Sequence, residues 1–391
     1  MIQENVAIGV LGSKNRNHSE FNEELLLVKV CQKISLPESM HKRAVSHYKA
    51  VGEWLASGNS LLSKAKVRIY PQGSLAIGTT NRPLKSAEFD LDGVGECDLD
   101  VEPLEMLNIF EERLKQNSEY RKILERKNRC LRLNFKNDFH IDMLPAKPNF
   151  ELSAGCVLVP DRELKCWKHS SPKGFAHWFH GRCRIRIVKK FNDSKDYVEP
   201  APDHQEQEEK FILQHLVQIL KRARDVEFET RCDLAPVSIV LTALAGELYA
   251  GETTVAEAVS NFMDRLKHKI QTEGVRNALR VFNPANPNEL LSERWEKNIE
   301  SYEAFVTWIY DFTETWQAFF ETRGIQSKIR LLKGLFGDEA VKGILEALID
   351  EVESARTNSS LFVSGTGSLV FNENKKENVR IVKQNTFFGD L

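Results

Sequence analysis

Two short alternating runs constrain this chain more than anything else in it. In Glu88-Phe89-Asp90-Leu91-Asp92 and in Phe139-His140-Ile141-Asp142-Met143-Leu144, apolar residues alternate with acidic or polar ones. That is the period-two pattern of strands with one face in a core. Side chains at i and i+2 of a strand share a face, so Asp90 and Asp92 stand side by side with Leu91 turned inward, and Asp142 stands likewise between Ile141 and Met143. If the two strands are neighbours, three carboxylates meet on the polar side of one sheet.

Carboxylates brought that close repel unless cations neutralise them, and hard cations such as Mg²⁺ take oxygen ligands together with substrate phosphates. The pattern predicts two Mg²⁺ ions, replaceable by Mn²⁺, at Asp90, Asp92 and Asp142, an arrangement suited to in-line phosphoryl transfer. Val67, Ile69 and Tyr70 suggest a strand entering Pro71-Gln72-Gly73-Ser74. Gly73 permits a tight backbone turn, and Ser74 with the amides opening a following helix can hold β- and γ-phosphates. A second acidic pair, Asp98-Leu99-Asp100, precedes a helix start at Pro103 and is read as capping or dipole-compensating instead. His140 faces the same side as Asp142 and is a candidate partner for it.

The chain has 391 residues, enough for two cores, since single cores stop growing near ~250 to 300 residues. Helical periodicity covers 21–34 and 38–55, broken at Pro37, then 103–116, and recurs at 210–226, 236–249, 255–272 and 289–320. Cys130 to Phe135 and Phe139 to Leu144 read as paired strands joined by a Lys136-Asn137-Asp138 turn. The fold expected is α+β and bilobed: a catalytic core with a mixed sheet and N-terminal scaffold helices over 1–205, an all-α lobe over 206–356, and a mobile tail over 357–391. No apolar run approaches the roughly 18 residues of a membrane span, and Met1 to Ser13 lacks a signal pattern, so a cytoplasmic protein is expected. Seven scattered cysteines without a CxxC read as reduced thiols, and Cys156, Cys166 and Cys183 with His177 and His180 have poor spacing for zinc. A formal net charge of -2 does not advertise a nucleic-acid grip.

Gly-Ser, then Asp-x-Asp on a strand, then a lone Asp on a later strand resembles the polymerase β-like nucleotidyltransferases. Gln72-Gly73-Ser74 with Thr79, Ser171 to Phe179, Leu220 to Asp225, Ala235 to Ile239, and Asn286-Pro287 ahead of Trp295 narrow the resemblance, over about 70–300, to the bacterial cGAS/DncV-like nucleotidyltransferases. The resemblance implies that Asp90 and Asp92 bind both metals, while Asp142 binds the catalytic one and helps deprotonate the acceptor hydroxyl. It further implies that Gln72, Gly73 and Ser74 line the donor triphosphate, with Lys221 and Ser238 as additional contacts. ATP and/or GTP would be the substrates, and the product a cyclic di- or trinucleotide acting on an antiphage effector in CBASS, with accessory proteins as partners. Other outcomes stay open: a linear product, nucleotidyl transfer to another acceptor, or an idle nucleotide sensor. Ser171 to Phe179 reads physically as a Ser-Pro turn into a helix with Phe175, Trp178 and Phe179 facing a core. His177 and His180 read as surface or packing residues. Lys221, Arg222 and Arg224 fit either phosphate contact or a solvated helix face. Phe387-Phe388-Gly389 fits either a conjugated tail or one docking its aromatics on the body.

Overall fold

The computed structural model describes residues 18–84, 89–135, 139–152, 155–183, 202–205, 210–274, 277–358, 361–364, 369–371 and 379–381. Helices α1 (His18–Ile34) and α2 (Glu38–Ala56) and the single turn α3 (Leu61–Lys64) lead to strand β1 (Arg68–Pro71), the four-residue turn α4 (Gly73–Ala76) and β2 (Phe89–Glu96). There follow α5 (Pro103–Lys115), α6 (Ser118–Ile123), β3 (Leu124–Arg126), β4 (Leu131–Phe135), β5 (Phe139–Pro148), β6 (Val157–Asp161), β7 (Cys166–Ser170) and α7 (Pro172–Arg182).

The mixed sheet runs β1-β2-β5-β4-β3, with β6 pairing the far end of β5 and then β7. β2 and β5 are parallel while β1, β4 and β3 pair antiparallel with their neighbours. A parallel pair cannot be joined by a hairpin, and α5 supplies the crossover. Gly95 on β2 lets this helix approach, since a Cβ there would lie 2.3 Å from Cε1 of Phe110. One sheet face, with Phe89, Leu91, Leu131, Leu133, Phe139, Ile141 and Met143, packs on α2 and α5. The other face carries the polar members of the same strands.

The remainder is mostly helical: α8 (Ile212–Glu227), α9 (Ser238–Leu248), α10 (Val255–Glu273), the hairpin β8 (Phe282–Asn283) and β9 (Asn286–Leu290), α11 (Glu293–Lys297), α12 (Ile299–Glu321), α13 (Ile325–Phe336), α14 (Asp338–Val341) and α15 (Ile344–Thr357). Its spine is α12, whose Tyr302, Phe305, Trp308, Phe312, Trp316 and Phe319 recur at helical spacing and are buried.

The structure departs from the sequence expectations at three places. The helix expected over 289–320 begins at Glu293 and is broken at Asn298, because Glu289 lies in β9 and spends its carboxylate across the molecule on Ser170, Ser171 and Asn283. The lobe is therefore not purely helical. α1, expected as scaffold for the sheet, packs Leu26, Leu27, Val30, Cys31 and Ile34 into the helical core, where Glu23 also meets Lys328 of α13. β10 (Leu361–Ser364), β11 (Leu369–Phe371) and β12 (Val379–Ile381) form a small antiparallel sheet within the stretch expected to be a tail. The expected turn at 136–138 and the Phe387-Phe388-Gly389 stretch lie outside the described residues.

Candidate active site

The register settles how the acidic strands meet. Asp92 and Asp142 are direct partners across the parallel β2/β5 pair, and Asp90 is opposite His140. Alternation then sends Asp90, Asp92, His140 and Asp142 to the face opposite Leu91, Ile141 and Met143. On the other side of β5, Arg132 of β4 pairs in register with Asp142 and Asn134 with His140.

Arg132 closes the constellation. Its Nε donates to Asp142 Oδ1 at 2.7 Å and its Nη2 to Asp142 Oδ2 at 2.7 Å, while Nη2 also reaches Asp90 Oδ1 at 3.3 Å. The hydrogen bonds to Asp142 raise the guanidinium pKa above its ordinary value. His140 Nε2 lies 3.7 Å from Asp90 Oδ1. Burial pushes Asp92 up to about 7, with Asp90 and Asp142 adding to the effect. Burial also raises Asp90, opposed by Arg132.

The turn before β2 is tied to this face. Gln72 N donates to Asp92 O at 3.0 Å, and Gly73, at φ +61°, approaches so closely that a Cβ there would lie 2.3 Å from Asp92 Oδ2. Thr80 Oγ1 donates to Ser74 Oγ at 3.1 Å. The chain from Ile77 to Arg82 then lies along α8, which holds it by side chains at helical spacing. Gln214 Nε2 donates to Ile77 O at 2.8 Å, Gln218 Nε2 to Thr80 O at 3.1 Å, and Lys221 Nζ to Thr79 O at 3.1 Å, while Arg222 bonds Arg82 O.

Lys221 is thus next to the turn and in the field of Asp92 and Asp90, and burial lowers its pKa to about 8. It is not on a solvated helix face, and neither is the buried Arg222. Ser238, at the start of α9, is one step further away: its Oγ accepts from Arg224 Nη1 at 2.6 Å, three residues beyond Lys221. Phe175 and Phe179 of α7 are buried and Trp178 packs beside them, as the sequence suggested, while His180 is bonded through Nε2 to Ala76 O at 3.2 Å.

Asp98 and Asp100 do not join the carboxylate face, but the capping role expected of them is not realised either. They lie exposed in the extended link before α5, whose N-cap is Glu102 without a side-chain cap. The residues that sequence reasoning missed are Arg132, Gln214 and Gln218. The glutamines did leave a signal, as polar residues four apart among Leu213, Leu216, Val217, Ile219 and Leu220. Arg132 left one as well, since the hairpin expected around the turn at 136–138 places residue 132 opposite Asp142.

The donor set has the right chemistry for hard divalent cations, being three carboxylates of which one is driven well above its ordinary pKa by burial and by the other two. Among the described residues no three such side chains surround an open point. At this face the guanidinium of Arg132 lies against Asp142 and Asp90.

Residues 67–145 match the family model "Cyclic GMP-AMP synthase DncV-like, nucleotidyltransferase domain". Over 371 residues the chain is 32% identical to a protein of Roseivirga ehrenbergii named c-di-GMP synthase, covering 93% of this chain and 96% of the relative. Cyclic dinucleotide synthase CdnG of Bradyrhizobium diazoefficiens is 23% identical over 350 residues, 83% of this chain and 82% of that one. The solved structure of CdnG in complex with GTP superposes with a TM-score of 0.68 at 21% identity, over 83% of this chain and 99% of that one. Among the described residues no helix is long and apolar enough to cross a membrane. The chain belongs to the DncV-like nucleotidyltransferases, the CD-NTase family.

Proposed function

We propose that this member of the DncV-like nucleotidyltransferases condenses two nucleoside triphosphates into a cyclic dinucleotide, with GTP as a substrate, and that it does so at the carboxylate face of β2 and β5. The observation that carries the reading is the register Asp92↔Asp142 with Asp90 on the same face, beside the Gly73-Ser74 turn. The names of the two curated relatives support a dinucleotide, and that of the more similar one supports guanine.

Asp90, Asp92 and Asp142 would hold Mg²⁺, or Mn²⁺ in its place. Such ions, when bound, supply positive charge for the triphosphate and favour the ionised acceptor hydroxyl. Ser74 and the Gly73 turn, with Gln72, position the donor phosphates, and Lys221 adds charge from α8, with Ser238 held behind it through Arg224. Asp142 accepts the proton of the acceptor hydroxyl as its oxygen bonds to the α-phosphorus and pyrophosphate leaves. A second transfer of the same kind closes the ring. The product would act on an effector in antiphage defence, where CBASS accessory proteins are the expected partners.

The test is incubation with labelled GTP, ATP, both, and all four triphosphates in Mg²⁺ or Mn²⁺, then phosphatase and mass spectrometry. A phosphatase-resistant cyclic dinucleotide is expected, formed from GTP, and lost by about 10²-fold or more in Asp90→Asn/Asp92→Asn. Activity surviving in that double variant would sink the site, a phosphatase-sensitive linear product would sink cyclisation, and transfer to another acceptor would redirect the substrate.

A further inference from the structure

The guanidinium of Arg132 does what a divalent cation would otherwise do at the carboxylate face. It engages both oxygens of Asp142 in a fork and bridges to Asp90, so the two strands' acids are held together by one planar cation. The pairing is built in, because β4 is antiparallel to β5 and Arg132 is directly opposite Asp142. Side chains so placed lie within contact range without any loop having to order. The Arg132 side chain is 22% exposed and Asp142 14%, which leaves little water to screen the pair, whereas Asp90 at 57% remains open to solvent.

Two consequences follow from charge alone. Three neighbouring carboxylates would repel across the β2/β5 pair, and while Lys221 acts on Asp92 and Asp90 through its field, Arg132 is the cation bonded to Asp142 and Asp90 that offsets this before any metal is present. Yet the oxygens that it occupies are the ones a divalent ion needs, and a bidentate fork must give up at least one of them to an incoming ligand.

We propose that Arg132 is the resident counter-cation of this site: it holds Asp142 and Asp90 together in the metal-free protein and competes with the divalent ion for them, weakening metal binding in the absence of nucleotide. The inference rests on the reading of Asp90, Asp92 and Asp142 as metal ligands. Arg132 is in this sense a positioning residue that acts through Asp142. The phosphate oxygens of an incoming triphosphate would make up the difference, since Mg²⁺ is bound by one or two carboxylates together with substrate phosphates.

The competing account is that Arg132 orients Asp142 for the metal, in which case its loss should weaken binding by about 10- to 100-fold. The two accounts predict opposite signs. Mn²⁺ alone, without nucleotide, is titrated into the full chain and the free ion read by electron paramagnetic resonance. Arg132→Met, similar in length but uncharged, is expected to bind Mn²⁺ at least about tenfold more tightly than the wild type, and Arg132→Lys, which keeps the charge without the fork, to fall between them. The unfolding midpoint in EDTA should be lower for Arg132→Met than for the wild type and should recover with Mn²⁺. If Arg132→Met does not fold, the Lys variant carries the test. Affinity that is unchanged, weaker or undetectable in the variants overturns the proposal. Mn²⁺ binding that survives in Asp90→Asn/Asp92→Asn would instead overturn the metal-ligand reading on which it rests, whatever Arg132 does.

Discussion

At Gly73 the backbone runs at φ +61° and leaves no space for a side chain, because a Cβ would meet Asp92 Oδ2. Gly73→Ala is expected to cost about 1–2 kcal/mol in backbone strain. It should lose about 10²-fold in turnover, beyond what the fall in stability explains, by pushing Asp92 aside. Unfolding curves and initial rates on the same preparation separate the two effects. Asp92 itself makes stability depend on pH. The folded protein without divalent ions releases this proton near 7 while the unfolded chain does so near 3.8, so between those values the folded state binds more protons and stability falls as pH rises. Midpoints in EDTA should drop from about pH 4 to about pH 7, and Mg²⁺, by binding the ionised carboxylates, should flatten the slope. A midpoint in EDTA that rises over this interval would contradict the raised pKa.

Among the elements, α8 unites the two cores. Its apolar side enters the helical core through Leu213, Leu216, Val217 and Leu220, while Gln214, Gln218 and Lys221 hold the carbonyls of the chain that follows the Gly73-Ser74 turn. Gln218 is central, since its Nε2 donates to Ser35 Oγ and Thr80 O, its Oε1 accepts from Lys210, and its backbone carbonyl accepts from Asn81. Gln218→Leu should cost about 1–3 kcal/mol, because buried polar partners are left unpaired. It should also raise the KM for the triphosphate more than it lowers kcat, as the loop beside Ser74 loosens. Denaturant titration and steady-state kinetics check the two parts, and an unchanged KM would mean that the loop is held by its other bonds.

Across the whole molecule, a polar junction joins the sheet side to the hairpin of the helical lobe. Glu289 on β9 accepts from Ser170 Oγ and Ser171 N at 3.0 Å each and from Asn283 at 2.6 Å, and burial raises its pKa. Beside it, Glu293 meets Lys168 and Arg129, and Arg129 also pairs with Asp161. Glu289→Ala should destabilise the chain by about 1–3 kcal/mol through the unpaired Ser171 amide. It should also speed proteolysis near residues 283–290 more than elsewhere. Uniform acceleration along the chain would show that the junction has no local role.

The sequence by itself determined which side chains share a face. Period-two alternation around Asp90, Asp92 and Asp142, the Gly-Ser turn, and the apolar stripes of α8, α10 and α12 are all local patterns, and each was legible without knowing what lay opposite. Only the tertiary structure decided what those faces meet. The β2/β5 pairing turns two acidic strands into one cluster, and α8 lies along the loop beside Ser74. The same distinction explains the errors. Glu289 fits a helix by its neighbours, and α1 fits either core by its own stripe, but partners more than a hundred residues away drew one into a hairpin and the other into the helical lobe. Backbone periodicity is fixed by sterics within a few residues, whereas strand register and helix docking are fixed by contacts between segments distant in the chain.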